Sequence, residues 1–188
     1  MTMPTSLPFT GDDAADRLLV AEPLALLIGF ALDQQVTVQK AFSGPAELKR
    51  RIGGLDAARI AAMDPEALAT VFRTPPALHR FPGSMAERVQ GLCSAIADDY
   101  GNRAERVWTE AATGQDLEAR LLGLPGIGAM KAAALIVIVG RRFGIKPPGW
   151  AEVAPAYPTL GDVDSAEALA AYQAGKKAHK AALKAGTA

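Results

Sequence analysis

The chain has few of the residues that build disulfides or metal sites. Its 188 residues include one cysteine, Cys93, and two histidines, His79 and His179. One cysteine cannot form an internal disulfide or hold an iron–sulfur cluster, and it fits no zinc-site spacing. Because its neighbours are apolar, we expect Cys93 to be a small core residue. We therefore expect no metal and no other cofactor.

Long apolar runs are also missing. The two longest, residues 24–32 and 132–139, are far shorter than the ~20 residues that a membrane-spanning helix needs. Residues 1–10 lack a charged segment followed by an apolar stretch, so no signal peptide is expected. These absences predict a cytoplasmic protein that does not enter a membrane.

Neither sign of charge dominates. Twenty Lys and Arg residues balance twenty Asp and Glu residues, so net charge alone does not indicate a polyanionic partner, although it can hide a basic face. No acidic residue follows Glu167, whereas four lysines do: Lys176, Lys177, Lys180 and Lys184. This basic segment is either a solvated helix end or a salt-dependent contact to phosphate.

The patterns that are present are helical. Alternating β-type stretches are nearly absent, and apolar residues recur at helical spacing between Gly and Pro residues. The proline-rich segment 145–161 is expected to be a loop. The predicted helices begin at Pro23 or cover residues 12–20, 37–42, 46–52, 56–63, 65–72, 85–100, 103–111, 115–122, 129–143 and 166–185.

Several helix starts carry recognisable capping residues. Asp64 followed by proline, and Ser84 with Glu87 in a capping box, predict two of them. Asp164 or Ser165 is expected to cap the last helix.

The central motif is the turn Leu124-Pro125-Gly126-Ile127-Gly128 between two predicted helices. Glycine permits positive φ and close approach of another backbone, and the isoleucine would lie beneath the turn. The free N–H groups at the start of the second helix could bind an anion such as a DNA phosphate, without reading a base. The motif matches neither a dinucleotide-binding nor a phosphate-loop pattern. A purely structural helix–helix turn is the alternative.

This string resembles the helix-hairpin-helix–Gly/Pro/Asp (HhH-GPD) superfamily of base-excision DNA glycosylases. Residues 30–41, with the pair Gln34-Gln35, resemble an early segment of that superfamily, and residues 80–96 resemble the helix before its hairpin. Order and spacing agree from about residue 24 to residue 144. Residues 79–84 and 146–150 further resemble a small subgroup without an iron–sulfur cluster.

The resemblance implies an all-α, two-lobed fold with a cleft between the lobes, formed by one unit that covers residues 1–188. The expected ranges are about 30–135 for the middle lobe, with the hairpin at 121–134, and 1–29 plus 136–188 for the second lobe, with the segment 145–161.

The resemblance also implies a chemistry. Such enzymes flip a damaged nucleotide out of double-stranded DNA and hydrolyse its N-glycosidic bond through a cationic sugar. Lyase-competent members carry a lysine two residues after the second hairpin glycine, where this chain has Met130. We therefore expect monofunctional activity in a monomeric protein, with water as the nucleophile.

Several site residues follow from the same resemblance. The hairpin residues 124–128 would contact DNA, and Lys131 would meet phosphate or solvent. Gln35 would fill the gap left in the base stack, although a glutamine pair can also simply bridge helices. Gln34 and Trp150 would line the base pocket, with an anchor of the loop against the core as the second interpretation of the tryptophan.

One expected residue is missing. The family places an aspartate shortly after the second hairpin helix, and the corresponding region near residues 148–151 contains none. Asp164 is the preferred candidate, because the segment 145–161 could be an insertion before a displaced Val-Asp element, but Asp164 could equally be an ordinary helix cap. Asp162 and Glu152 are weaker candidates, and Asp33 is the least favoured of the four.

Two other functions remain open at this stage. A non-catalytic protein could bind a DNA lesion or DNA structure with the same fold and without the acid. A helical interaction module, whose hairpin is only a turn, would show no salt-dependent affinity for DNA.

Overall fold

The computed structural model describes residues 3–186, and every regular element in that range is helical. The all-α prediction is confirmed. A π-helical turn, Ile138–Arg142, follows α9, and a 3₁₀ turn, Leu160–Asp162, precedes α11. The eleven α-helices are α1 Asp13–Ala21, α2 Pro23–Leu32, α3 Val38–Ile52, α4 Ala57–Ala61, α5 Pro65–Arg73, α6 Pro82–Asp99, α7 Arg106–Thr109, α8 Gly114–Leu122, α9 Ala129–Val137, α10 Trp150–Val153 and α11 Ala166–Ala185.

Side-chain caps explain where many of these helices begin. Each capping oxygen accepts a hydrogen bond from a backbone N–H in the first turn. The predicted caps Asp64 and Ser165 are both present, whereas α6 begins earlier, at Pro82, and lacks the capping box predicted at Ser84. The six helices with side-chain caps are α1, α3, α4, α5, α8 and α11, capped by Asp12, Thr37, Asp56, Asp64, Thr113 and Ser165.

The predicted break before Pro45 is wrong, because α3 runs through that residue. Gly44 and Pro45 are both buried, and a Cβ on the glycine would lie 2.5 Å from Leu32 Cδ1 of α2. The tight packing of α3 on α2 at this point stabilises the helix despite the donor that proline lacks.

A continuous hydrophobic core joins most of the helices. Helix α2 is buried from Leu24 to Leu32, and α6 packs against α2, α4 and α5. Cys93, on α6, is fully buried, as predicted. Burial raises the pKa of its thiol to about 12, so the side chain acts as a small apolar group.

The segment 145–161 is more ordered than the predicted loop, because it contains α10 and leads into the 3₁₀ turn. The indole of Trp150 lies on the π-helical turn, where a Cβ on Gly140 would come within 2.1 Å of the ring. The predicted helix 103–111 shrinks to α7, because residues around it form turns.

Helix α11 leaves the core along its length. Leu169 is its one buried residue within the described part of the chain, and every residue from Lys176 to Gly186 is exposed. The side-chain amides of Gln173 and Gln39 exchange two hydrogen bonds, at 2.8 and 3.2 Å, which fasten α11 to α3. Over residues 3–186, no helix is long and apolar enough to cross a membrane. The division into two lobes stays a prediction.

Candidate nucleic-acid interface

The predicted hairpin is present, with α8 and α9 joined by residues 123–128. Gly126 has a positive φ of 84°, which an L side chain adopts only with strain. Ile127 is buried beneath the turn, as predicted, and its N–H donates to the Leu124 carbonyl at 3.1 Å. These features fix the direction in which α9 begins.

The turn packs directly on α2 and α6. A Cβ on Gly126 would lie 2.7 Å from Arg88 Cδ and 3.4 Å from Ala31 Cβ, so the missing side chain permits this approach. Pro125 lies beside Gly91 of α6, which is also without a side chain. The hairpin is therefore held by tertiary contacts with both helices.

The first turn of α9 offers unpaired backbone donors. Gly128 is extended, with φ −90° and ψ 179°, and provides no side-chain cap. No group among residues 3–186 accepts from the N–H groups of Ala129, Met130 and Lys131, and the first backbone bond of α9 runs from Ala132 N to Gly128 O at 2.9 Å. We call these three N–H groups the amide seat. With the helix dipole, they form a site suited to an anion.

The surroundings of the amide seat are open. A Cβ on Gly128 would meet nothing within 4 Å, and Met130 is 66% exposed. The seat borders a cavity of about 350 Å³ whose other walls come from Gln34 and Arg88. An anion as large as a phosphate diester can reach this site.

A short turn, residues 32–35, lies beside the hairpin, and we call it the glutamine turn. Gln34 N–H donates to the Leu32 carbonyl at 2.7 Å around Asp33, whose φ of −73° and ψ of 72° are those of an inverse γ-turn. Gln35 has a positive φ of 55°, which is uncommon for a residue with a side chain. Both glutamines are exposed, and Arg88 donates to Gln34 Oε1.

His79 fixes the glutamine turn from below. The ring is buried, and its Nδ1 accepts from Phe81 N–H at 3.1 Å, so the neutral ring carries its proton on Nε2. From Nε2 it donates to the carbonyls of Leu32, at 3.1 Å, and Gln34, at 3.0 Å. Burial lowers the pKa of His79, which favours this neutral form.

Lys131 and Asp33 interact electrostatically where the hairpin meets the glutamine turn. Lys131 Nζ donates to the Gly126 carbonyl at 3.0 Å, and burial lowers its pKa while the Asp33 charge opposes that shift. Burial raises the pKa of Asp33, against the opposing charges of Lys176 on α11 and Lys131 on α9. Asp33 was the least favoured carboxylate in the sequence, where its position directly before two glutamines was the only signal.

The three preferred carboxylates lie elsewhere. Asp164 is exposed, and no described residue bonds its side chain. Asp162 accepts from Thr159 N–H at 2.8 Å and from its hydroxyl at 3.1 Å, and pairs with Arg141, which gives it a structural role in the 3₁₀ turn. Glu152 is exposed on α10. None of the three lines the cavity that borders the amide seat.

Trp150 has contacts that favour the interpretation as an anchor. Its Nε1–H donates to the Ile136 carbonyl at 3.0 Å, and Lys146 Nζ lies 4.9 Å from its ring centroid. The indole also packs closely on Gly140 of the π-helical turn, and together these contacts fix it against the end of α9.

An apolar groove of about 700 Å³ runs along α11. Tyr157, Tyr172 and His179 line it, together with Lys176, whose charge also acts on Asp33. The groove has the volume of a small-molecule site. Over residues 3–186, no group of three or more His, Cys, Asp or Glu residues is arranged to hold a metal ion.

A comparison with known protein families identifies the family of the chain. The model of the HhH-GPD superfamily base excision DNA repair proteins matches residues 28–182, which include the glutamine turn, the hairpin and most of α11. No curated protein and no solved structure matches the chain significantly. The all-helical architecture is that of the DNA-glycosylase fold. The chain therefore belongs to the HhH-GPD superfamily of base excision DNA repair proteins.

Proposed function

We propose that the protein is a monofunctional DNA glycosylase, which hydrolyses the N-glycosidic bond of a damaged base in double-stranded DNA. The amide seat is the observation that carries the proposal, because it offers unpaired donors beside the glutamine turn. A phosphate bound there would hold the backbone without reading a base. Gln35, exposed with an uncommon positive φ, would fill the gap left by the flipped nucleotide.

The choice of hydrolysis over a lyase reaction rests on Met130. This side chain is exposed at the position where lyase-competent relatives carry a lysine, and a thioether cannot form a Schiff base. Lys131, one residue later, is half-buried and bonded to Gly126, within the hairpin itself. The single, buried cysteine supports a relation to members without an iron–sulfur cluster, because such a cluster is held by several cysteines.

The first experiment measures base release. Duplexes with alkylated, deaminated or oxidised bases are incubated with the protein, and abasic sites are counted after cleavage with alkali. We expect release from at least one class and no covalent adduct on borohydride treatment. An adduct that disappears in Lys131→Gln would contradict the monofunctional assignment. No release from any duplex, with salt-dependent binding retained, would identify a non-catalytic DNA-binding protein.

The second experiment tests the amide seat itself. In Gly128→Asp, the new carboxylate would cap α9 and occupy the donors that a phosphate needs. Hydrogen bonds to a charged group contribute about 1.5–3 kcal/mol, so DNA affinity should fall about ten- to a hundredfold. Stability should stay the same or rise by a few tenths of a kcal/mol, because aspartate caps slightly better than glycine.

Ala58→Asp is the matched control, because it adds the same charge to an exposed position in the first turn of α4. This variant should bind DNA like the wild type. Equal loss of affinity in both variants would show a general charge effect and remove support for the hairpin as the DNA contact.

A further inference from the structure

We infer that Asp33 is the carboxylate that faces the cationic sugar during base removal, in place of the aspartate missing after α9. The inference rests on the proposed function. Asp33 occupies the tip of the glutamine turn, where the charges of Lys131 on α9 and Lys176 on α11 act on it.

The turn holds Asp33 in a defined position. The residues on either side, Leu32 and Gln34, both bond through their carbonyls to the same buried nitrogen of His79. The hairpin also packs against Ala31, two residues before Asp33, through Gly126. A carboxylate on this support is fixed relative to the amide seat, which orientation-dependent chemistry requires.

The side chain of Asp33 is also available for a ligand. It is half-buried, and no described residue donates a hydrogen bond to it. The charges that act on it come from Lys131 of α9 and Lys176 of α11, and Arg88 of α6 acts in turn on Lys131. A partly desolvated carboxylate interacts strongly with a developing positive charge. The charges of Lys176 and Lys131 oppose the rise that burial causes in the pKa of Asp33, and so favour its ionised form.

Hydrolysis of the N-glycosidic bond needs only the Asp33 carboxylate and a water molecule. The C1′–N bond breaks and its electron pair leaves with the base, while the sugar acquires positive charge beside the Asp33 carboxylate. A water oxygen forms the new bond to C1′. One proton of that water passes to the carboxylate and from there to solvent or to the departing base, which regenerates the ionised side chain.

Binding of charged analogues tests the inference without turnover. Two duplexes are compared, one with a neutral tetrahydrofuran abasic analogue and one with a pyrrolidine analogue whose ring nitrogen is protonated. The wild type should prefer the pyrrolidine duplex on the order of tenfold, as for a close charge pair. Asp33→Asn should lose this preference and keep its affinity for the tetrahydrofuran duplex. Asp164→Asn, the matched control, should behave like the wild type.

The outcomes separate the two proposals. A wild type without any preference, or a preference that persists in Asp33→Asn and disappears in Asp164→Asn, overturns the assignment of Asp33. A preference that depends on Asp33, with no base release from any duplex, supports the carboxylate position and overturns the glycosylase assignment alone.

A pH profile provides a second measurement in case Asp33→Asn does not fold. Base release should decline in acid as Asp33 becomes protonated, at a higher pH than for an ordinary aspartate. Lys176→Gln removes a charge that lowers the pKa of Asp33, so this decline should move to higher pH. Lys177→Gln, the neighbouring control, should leave the profile unchanged. An unmoved profile in Lys176→Gln would contradict the role of Asp33.

Discussion

The two helices of the hairpin begin in opposite ways. Helix α8 starts after Thr113, whose hydroxyl accepts from Asp116 N–H at 3.0 Å, and an acidic residue stands in its first turn. Helix α9 starts after Gly128, without a capping side chain and without an acid in its first turn. The chain thus caps the helix whose start has a structural role and leaves uncapped the one that begins beside the glutamine turn.

The difference teaches that a missing cap carries information. Helices α2, α6, α7 and α10 also start without a side-chain cap, but α2 and α6 begin with a proline, and α7 and α10 have four residues each. Among the longer described helices, α9 alone begins with neither a capping side chain nor a proline. The space around Gly128 is open, and a capping side chain would fit. Tertiary packing of Gly126 on α2 and α6 instead holds the start of α9, which leaves its donors free for an anion.

The largest effect that tests this comparison comes from Gly126→Ala. The positive φ alone costs about 1–2 kcal/mol for a residue with a side chain, and the new methyl group would displace Arg88. We expect the free energy of unfolding to fall by at least that amount, and DNA affinity to fall with it, in denaturation and in binding titrations. Gly175→Ala, at an open helical position of α11, should instead stabilise the protein by about 0.5–1 kcal/mol.

A smaller effect is expected from Thr113→Ala. Loss of the cap should lower the free energy of unfolding by about 1 kcal/mol. DNA affinity should not change, because Thr113 lies at the start of α8, whereas the hairpin turn follows the other end of this helix. A clear loss of affinity without a loss of stability would reverse the roles assigned to the two helix starts.

The smallest expected effect is a pH-dependent difference in stability between the His79 contacts below the glutamine turn and the Thr113 cap of α8. The folded-state pKa of His79 is lowered, so the folded protein binds this proton less readily than the unfolded chain does. Its stabilising contribution is complete above about pH 6.5 and is lost as pH falls toward the lowered value. Amide exchange at Phe81 should therefore accelerate in mild acid relative to Asp116, whose cap Thr113 does not titrate. His79→Gln should abolish this difference, and equal exchange in the wild type would contradict it.

Local signals predicted much of the fold. The bounds of α11, the cap at Asp64 and the hairpin turn all follow from short strings in which Pro, Gly, Ser or Asp has one dominant role. The continuity of α3 through Pro45 could not be predicted in this way, because it depends on packing against Leu32 of α2.

The candidate site shows the same limit. Gly126 and Gly128 were recognisable in the sequence, since a turn requires them whatever surrounds it. Asp33 could not be preferred from the sequence, because its candidacy depends on surroundings that only the fold provides. These are the charges of lysines on α9 and α11 and the buried ring of His79. Asp164, by contrast, has the expected neighbours in the sequence and no such surroundings in the fold.

The π-helical turn has a consequence for how the chain can vary. Its wider ring, closed from Phe143 N–H to the Ile138 carbonyl at 3.0 Å, leaves a notch at Gly140 that the Trp150 indole fills. Arg142 attaches the following segment by donating to the Val163 carbonyl at 2.7 Å. The amide seat and this attachment point therefore lie at opposite ends of the helix formed by α9 and the π-helical turn. Insertions in the segment between the π-helical turn and α11 can therefore change that end of the helix without altering the amide seat at the other end.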